Sequence, residues 1–420
     1  MTIKSALKTD WFFLLVIISL AILIRSLNFS DSLNFSSDQA KFSIKSLEIL
    51  RGEINGPVLI GPSVSLQLEG KEFYQGGVIY YFQALFLFLG NLDPIRASYL
   101  FMLFSCLMTI PLYKGIKSLI NEPSAKFVAI CFCFLPTFIS YTKFLWNPNF
   151  QLSLLPLFFL LLGLYKKHHK IFWLLLAGIS FGIVFQFHYQ LFIGFLLILA
   201  FMKLYLKFTL KKTLIFISGV TLGFLPMIIF ELRNDFLNTN TLLFYFEHFS
   251  EFSNSNSSAG FFTNRHYFIS LLLIVIVLGL TSLKSLNLKI VYSLATFLIA
   301  IDLFLYIPKP TQGFGMAENW SYPDELKSYN LIQAENIKSY NVTNLGYDTL
   351  AQTQKYLHKK DNLSENITDY WETTKLFVIA LKSKDINSDP AYEVQVIKPY
   401  KVLKEWEINQ YYKMYLLEKN

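Results

Sequence analysis

Several polar side chains of this sequence stand at the ends of apolar runs, where they could take part in chemistry. Asp38 follows the apolar run 11–27 after a short polar turn, and a carboxylate can accept a proton during a reaction. Amide, imidazole and charged side chains stand at the ends of later runs: Trp146, Asn147, Asn149, His188, Gln190, Glu231, Arg233, Asn234 and Asp235. Ionisable groups near membrane depth are costly and usually face a water-filled or substrate-filled site. Because the placement recurs at separate run ends, it predicts one shared cavity rather than ordinary loop polarity.

The composition is that of a membrane protein. Hydrophobic residues make up 53% of the 420 residues and charged residues only 16%, with a mean hydropathy of +0.41. Soluble domains carry closer to a quarter charged residues. The net charge of +8 does not indicate nucleic-acid binding, because the lysines lie in short loops between apolar runs, as the positive-inside rule requires.

Nine runs are long enough to predict transmembrane helices, which need roughly 20 mostly apolar residues. They are 11–27, 97–113, 126–144, 150–165, 171–187, 189–206, 213–231, 267–283 and 288–307. If the shorter run 77–90 does not span, all basic loops fall on one side of the membrane. We therefore expect 77–90 to be a juxtamembrane helix in the outer interface, with the N-terminus cytoplasmic and the polar run ends extracytoplasmic.

The predicted fold class is an all-α polytopic membrane protein with a small C-terminal α/β domain. Residues 1–308 form the transmembrane domain, including a first outer loop at 28–95, and residues 309–420 form an extracytoplasmic domain. In that tail we expect a helix start near Pro323, strands at 339–346, 374–381 and 392–397, and a helix at 348–360. Cys106, Cys131 and Cys133 lie in apolar runs at spacings that predict neither a disulfide nor a metal site.

The order of these elements resembles the C-type glycosyltransferase superfamily, and within it the protein O-mannosyltransferase and aminoarabinose-transferase group. The resemblance covers residues 1 to about 240. The motifs that carry it are 37-SDQA-40, a helix at 39–51, 57-PVLIGPSVS-65, 73-FYQGGVIYY-81, 141-YTKFLWNPNF-150, 185-FQFHYQ-190 and 224-FLPMIIFELRNDFLNT-239. Each motif alone is weakly specific, whereas the ordered set is fairly specific.

The resemblance implies an integral membrane enzyme that takes a sugar from a polyprenyl-phosphate carrier. The sugar passes with inversion to an extracytoplasmic hydroxyl on a glycan, lipid or protein, in a plasma membrane. Asp38 is then the candidate general base, although Ser36-Ser37-Asp38 also suits a helix N-cap. Arg233, Lys143 and Arg265 are the candidate cations for the leaving phosphate. The candidate sugar-binding residues include Gln39, Asn147, Asn149, His188 and Gln190 as hydrogen-bonding groups. Tyr74 and Trp146 offer flat faces for a sugar ring, with Tyr80 and Tyr81 as further aromatic candidates, although an interfacial aromatic belt also explains all four. Glu231 is the candidate second acid, and it could instead pair with Arg233 two residues on.

Two departures from the family pattern bear on cofactors. The second acid of the family's first-loop pair is Gln39 here, and the turn 146-WNPN-149 carries amides where the family has a carboxylate. Divalent metals prefer carboxylate oxygens, so we expect no cofactor and find no support for a metal.

Two other function classes fit the same residues. A transporter or flippase of amphiphilic substrates would suit nine spans and a polar rim, but transporters tend to show internal repeats and broken helices at the midplane. A polymerase or ligase of lipid-linked glycans would share the carrier and need a larger acceptor cleft. A few amides and one histidine do not specify which sugar is used.

Overall fold

A computed structural model describes residues 3–68, 70–248, 268–282, 288–306 and 315–420. The chain divides into two compact units. The helical unit comprises Met1–Leu27, Asn55–Phe82 and Tyr99–Lys309, and the α/β unit comprises Asn28–Ile54, Gln83–Ser98 and Pro310–Asn420. Two segments of the first outer loop therefore group with the tail. The domain boundary after residue 308 stays a prediction.

The helices before the tail follow the apolar runs, with shifted ends. They are α1 (Ile3–Ser26), α2 (Ser37–Leu50), α3 (Val78–Leu89), α4 (Pro94–Leu107), α5 (Thr109–Leu119), α6 (Glu122–Phe134), α7 (Pro136–Ser140), α8 (Asn147–His168), α9 (Ile171–Phe185), α10 (Leu191–Leu204), α11 (Leu210–Gly223), α12 (Leu225–Arg233), α13 (Leu237–Glu247), α14 (Ile269–Ser282) and α15 (Leu288–Tyr306). The helices predicted at 39–51 and 77–90 are present as α2 and α3.

The number of spanning helices is not confirmed. Among the described residues, Pro94–Leu119 and α8 are long and apolar enough to cross a membrane, and α11 with α12 would add a third span, bent by 64°. Two of the predicted spans are interrupted at a proline. Pro136 follows the end of α6, and Pro226 lies in the first turn of α12. Proline lacks the N–H that continues a helix. The predicted spans 126–144 and 213–231 are therefore each two helices.

Helices α9 and α11 pack with their backbones in direct contact. Gly178 and Gly182 face Gly219 and Gly223, and a Cβ on any of the four would overlap a backbone carbonyl oxygen of the opposite helix. Helices in a membrane associate through such small residues, because lipid tails supply no hydrophobic driving force. The pair brings the C-terminal ends of both helices close to the turn at 186–190.

A β-hairpin, absent from the sequence-based prediction, lies in the first outer loop. Strand β1 (Ile60–Leu68) pairs antiparallel with β2 (Lys71–Gly76), with Ile60 opposite Gly76 and Ser63 opposite Tyr74. The Gly76 N–H donates to the Gln186 carbonyl at 2.9 Å, and a Cβ at Gly76 would lie 2.6 Å from Gln186 Cβ. The glycine pair in 73-FYQGGVIYY-81 thus permits the hairpin to contact the end of α9.

The tail folds as the predicted α/β module around a four-stranded sheet. Its elements are α16 (Tyr322–Ala334), β3 (Asn341–Asn344), α17 (Gln352–Lys360), a 3-10 turn (Ser364–Asn366), β4 (Lys375–Leu381), α18 (Tyr392–Gln395), β5 (Tyr400–Glu407) and β6 (Tyr412–Lys419). The strand order is β3-β4-β6-β5, with β3 and β4 parallel and the other pairs antiparallel. Buried hydrophobic clusters cover both faces of the sheet.

The predicted strand at 392–397 is wrong, because this segment contains the short helix α18. The Asp389 side chain accepts the Ala391 N–H at 2.8 Å just before the helix, and Val394 and Ile397, three residues apart, are both buried. Strands β5 and β6 were not predicted. Most of β5 is exposed, so it lacks the alternation that marks a half-buried strand.

The α9–α11 contact generates a stability prediction. Gly182→Ala should lower the unfolding temperature in detergent, because its methyl group would overlap the Val220 carbonyl; overpacking typically costs about 1–3 kcal/mol. Gly279→Ala in α14 is the matched control, since a Cβ there meets nothing within 4 Å. That control should leave stability unchanged or raise it slightly through helix propensity. Equal effects of the two substitutions would contradict the packing described.

Candidate functional site

Asp38 is an exposed residue in the first turn of α2. Ser36, not Asp38, is the N-cap, so the N-cap interpretation of Asp38 is wrong. Within the described residues no hydrogen bond to the Asp38 carboxylate occurs, and desolvation by the surrounding protein raises its pKa, opposed by the ammonium of Lys41. A raised pKa makes a carboxylate a stronger base for accepting a proton from a hydroxyl group.

Gln39 is part of the cap that leaves Asp38 free. The backbone N–H and the hydroxyl of Ser36 both donate to Gln39 Oε1, at 3.1 and 2.6 Å, which completes a capping box. The Gln39 side chain is buried, and Gln83 of α3 donates to its carbonyl at 3.2 Å. The described contacts give Gln39 a structural role, and its predicted contact with substrate stays a prediction.

In the helical unit, the amides and histidine predicted for the site gather at the N-terminus of α8. The Asn147 amide donates to the side chain of Gln75 in β2 and, at 3.3 Å, to the Phe187 carbonyl. Gln151 donates to the His188 carbonyl at 2.7 Å, and Gln186 donates to the Gly223 carbonyl at 2.7 Å. These bonds fasten the 186–190 turn to α8, α11 and the hairpin.

Some oxygens and nitrogens of this amide cluster have no partner among the described residues. They are Asn147 Oδ1, Asn149 Oδ1, Gln186 Oε1 and both amide atoms of Gln190. Buried polar atoms in folded proteins nearly always find a hydrogen bond, in protein or water. The cluster therefore retains hydrogen-bonding capacity beyond the bonds that hold its turns. His188 is buried and stacks on Tyr189, with ring centroids 4.9 Å apart.

Lys143 and Trp146 lie in the non-helical segment between α7 and α8. Lys143 is half-buried, and the mostly buried Trp146 ring stacks on Phe144 with centroids 6.0 Å apart. A buried arginine holds this segment. Arg25 Nε donates to Thr142 Oγ1 at 2.9 Å, and its Nη1 donates to the Cys133 carbonyl at 2.8 Å. The guanidinium thus joins the end of α1 to the last turn of α6 and to the segment that follows α7.

Tyr74 and Glu231 meet at one residue, Asn238 in α13. The Asn238 side chain accepts the Tyr74 N–H at 2.8 Å and donates to the Tyr74 carbonyl at 3.0 Å. The Glu231 carboxylate accepts the N–H groups of Asn238 and Thr239, at 3.1 and 2.9 Å, and so caps the N-terminus of α13. Glu231 therefore does not pair with Arg233 in the described contacts, as the sequence suggested it could.

An open cavity of about 480 Å³ adjoins this junction. The turn of the hairpin and the start of α13 line it, and its polar lining residues are Lys71, Glu72, Tyr74, Asn234, Asp235, Asn240 and Thr241. The Tyr74 hydroxyl donates to Glu72 at 2.7 Å, and Lys71 lies over the Phe244 ring at 3.7 Å. Mixed carboxylate, amide and hydroxyl groups of this kind can bind a hydroxyl-rich ligand.

The structure joins some of the predicted site residues and leaves others apart. Asn147, His188 and Gln190 form one cluster, and Tyr74 with Glu231 forms a second, linked through the neighbouring Gln75. Arg233 is exposed at the end of α12, and Arg265 lies outside the described residues. Asp38 and Gln39 belong to the α/β unit, so the convergence of all these groups around Asp38 stays a prediction.

Sequence reasoning missed the residues that hold the two clusters together. These are Arg25, Gln75, Gln151, Gln186 and Asn238. Each is a polar residue within or beside an apolar run, which was the signal used for the other candidates. No group of three potential metal ligands occurs within the described ranges, and the expectation of no metal stays a prediction.

Comparison with solved structures identifies a protein of the same architecture. The crystal structure of ArnT from Cupriavidus metallidurans, bound to undecaprenyl phosphate, superposes over 98% of this chain and 98% of its own, with 9% identity and a TM-score of 0.57. The chain shares the fold of ArnT. The fold implied by the sequence resemblance is therefore confirmed. No protein-family model and no curated protein sequence matches the chain.

Two oligosaccharyltransferase structures from Archaeoglobus fulgidus are more distant. AglB, in complex with an inhibitory peptide and a dolichol-phosphate, matches 70% of this chain and 39% of its own, with 15% identity and a TM-score of 0.39. An oligosaccharyltransferase in complex with Zn and sulfate matches 86% of this chain and 54% of its own, with 12% identity and a TM-score of 0.38. Similarity at this level carries no argument about function.

The hydrogen bonds of Arg25 to two chain segments generate a stability prediction. Arg25→Lys should destabilise the protein, because one ammonium cannot reach the acceptors that the guanidinium binds on two chain segments. Each buried acceptor left unpaired costs about 1–3 kcal/mol. Thermal unfolding in detergent measures the loss, with Arg96→Lys, at an exposed arginine, as the control. Unchanged stability of Arg25→Lys would show that these bonds do not hold the 141–146 segment.

Proposed function

We propose that this protein is an integral membrane glycosyltransferase that moves a sugar from a polyprenyl-phosphate carrier to an extracytoplasmic hydroxyl, with inversion. The observation that carries the proposal is the Asp38 carboxylate in the first turn of α2, which accepts no hydrogen bond from any described residue, within a fold shared with ArnT. ArnT is bound to undecaprenyl phosphate in its structure, which supports a polyprenyl-phosphate carrier here.

Asp38 acts as the general base in this proposal. The acceptor hydroxyl oxygen attacks the anomeric carbon from the face opposite the phosphate, and the bond from that carbon to the phosphate oxygen breaks. The phosphate leaves with the bonding electron pair, while the hydroxyl proton passes to the Asp38 carboxylate. A carboxylate within hydrogen-bond reach of the proton supplies this catalysis. Attack opposite the leaving group inverts the anomeric centre.

The leaving phosphate gathers negative charge and requires cations or oriented donors. We assign Arg233 and Lys143 to this role because both are cations of the helical unit. Arg233 is exposed and Lys143 is half-buried. Arg265, the third candidate, lies outside the described residues. The extracytoplasmic orientation of these groups follows from the lysine-rich loops on the opposite side.

The amide cluster is the proposed site for sugar hydroxyl groups. Its unpartnered atoms on Asn147, Asn149 and Gln190 can donate to or accept from hydroxyls without adding charge. Trp146 and Tyr74 supply aromatic faces near the same turns. Because these side chains are mostly buried, the sugar would contact their edges or reach them through ordered water.

The first prediction concerns the base. Asp38→Asn should abolish sugar transfer, because the amide cannot accept the proton, while the protein remains folded and inserted. A panel of lipid-linked sugars offered to the purified protein, with mass detection of the carrier that loses its sugar, measures the activity. Asp31→Asn, at an exposed acid of the same loop, serves as the control. Normal turnover by Asp38→Asn would remove the base assignment, and transport of intact carriers would favour the flippase alternative.

The second prediction concerns pH. The base works only when ionised, so kcat/KM should fall as the pH drops through the pKa of Asp38, which is raised above its usual value of 3.8. The ammonium of Lys41 opposes that rise. Lys41→Gln should therefore move the acid limb of the pH profile to higher pH, with the same plateau. Lys45→Gln, one turn further along α2, is the control. An acid limb that stays in place would exclude Asp38 as the titrating group.

Arg233→Ala should weaken use of the donor. The apparent affinity for the lipid-linked sugar should fall because the phosphate loses a charge-assisted contact. Steady-state kinetics with varied donor measures this, and Arg233→Lys, which keeps the charge, should retain part of the affinity. An unchanged donor affinity in Arg233→Ala would remove this residue from the phosphate site.

A further inference from the structure

We propose that the C-terminal module positions the Asp38 carboxylate, with Thr353 and Asp348 as the positioning residues. The inference rests on the proposed function for the role of Asp38, and it assigns a task to the tail that the function itself does not require. All the residues involved belong to the α/β unit.

Two contacts join the tail to the residues just before Asp38. The hydroxyl of Thr353 donates to the Phe35 carbonyl at 3.2 Å. The carboxylate of Asp348 accepts the Gln352 N–H at 2.6 Å, and the nearby Ser37 hydroxyl stabilises its ionised form. One carboxylate thus contacts the starts of both α17 and α2. Asp38 is the residue that follows Ser37, so its backbone is fixed from the tail.

Aromatic packing fixes the same segment on its other side. Phe35 is 1% exposed and lies between Tyr322 and Tyr356, with ring centroids 5.4 and 5.3 Å away in edge-on geometry. Edge-to-face pairs add about 0.5–1.5 kcal/mol beyond burial. Phe35 therefore acts as an apolar anchor for the chain that enters α2.

The helix that supplies Thr353 is itself held by a buried polar network. Glu325 is fully buried and accepts hydrogen bonds from Trp320, Asn344 and Gln354, at 2.9, 3.0 and 2.6 Å. Gln354 follows Thr353 in α17. Buried hydrogen-bond networks make a core rigid, so the bond between Gln354 and Glu325 holds α17 and its Thr353 hydroxyl in place.

Contacts along α2 complete the attachment. Arg51, which follows the last turn of α2, donates to the carbonyls of Lys359 and Lys360 at 2.8 and 3.0 Å, and Lys359 pairs with Glu48 at 3.1 Å. The helix is thus bound to the tail at both ends. Exposed ion pairs contribute little stability alone, whereas two fixed ends restrict how the helix can tilt.

Position matters because proton transfer depends on geometry. A misplacement of about 1 Å by a change remote from the reacting atoms can lower a rate by about 100-fold. Gln39 and Ser36 hold the cap within α2, but they cannot fix α2 relative to the rest of the α/β unit. The tail performs that second task through Thr353, Asp348 and the Phe35 anchor.

The test uses Thr353→Val and Ser37→Ala in the full-length protein in detergent. Each removes one hydroxyl and little volume. Transfer from the lipid-linked sugar that the donor panel identifies should lose about tenfold or more in kcat, with KM for that donor unchanged. Thr353→Ser, which keeps the hydroxyl, should restore kcat. Hydrogen–deuterium exchange at residues 34–42 should rise in the two variants without any substrate present.

The controls remove hydroxyl bonds of the same kind within the tail. Thr368→Val deletes a bond to the Tyr340 carbonyl at 3.3 Å, and Ser328→Ala deletes one to the Asp324 carbonyl at 2.9 Å. Neither should alter kcat or exchange at 34–42. The inference is overturned if Thr353→Val and Ser37→Ala leave both kcat and exchange unchanged, or if the controls lower kcat equally. Failure of the proposed function shows separately, as full activity of Asp38→Asn while the exchange result stands.

Discussion

A helix start leaves backbone N–H groups without partners, and how α2 satisfies them decides whether Asp38 is available. Ser36 and Gln39 form the cap between themselves, so the carboxylate in the same turn is not consumed by it. Had Asp38 been the cap, its oxygens would have been bound to the backbone and its pKa lowered. Instead the group remains accessible with a raised pKa. The proposed chemistry depends on this local division of roles.

In each unit, packing and hydrogen bonds hold the turns that carry the polar candidate residues. In the helical unit, glycine contacts bring α9 and α11 together, and the amides of Gln186 and Asn147 then bind the helix ends to the hairpin. In the α/β unit, buried Glu325 orders α17, which in turn holds the entry to α2. In both units, buried hydrogen bonds hold loops in place, and functional side chains usually lie on loops.

The sequence predicted features that depend on composition and local pattern. Apolar runs placed most helices, and a polar turn before a helical pattern located α2 and Asp38. The hairpin was missed because its glycines and polar residues are explained only by contact with Gln186, far along the chain. Segment 392–397 was taken for a strand because its apolar residues alternate, whereas the chain forms the short helix α18 there. Prolines at 136 and 226 divided runs that hydropathy alone treats as continuous.

Among the site residues, the sequence identified polar positions but not their partners. Glu231 was expected beside Arg233, whereas its carboxylate caps α13, and Gln39 completes a cap. Such pairings depend on tertiary structure, which spacing cannot reveal. Chemical rescue tests the central assignment most directly: the rate of sugar transfer by Asp38→Ala, measured with and without added formate. The account predicts an inactive variant that formate partly restores by accepting the proton. Undiminished transfer by Asp38→Ala without formate would contradict it.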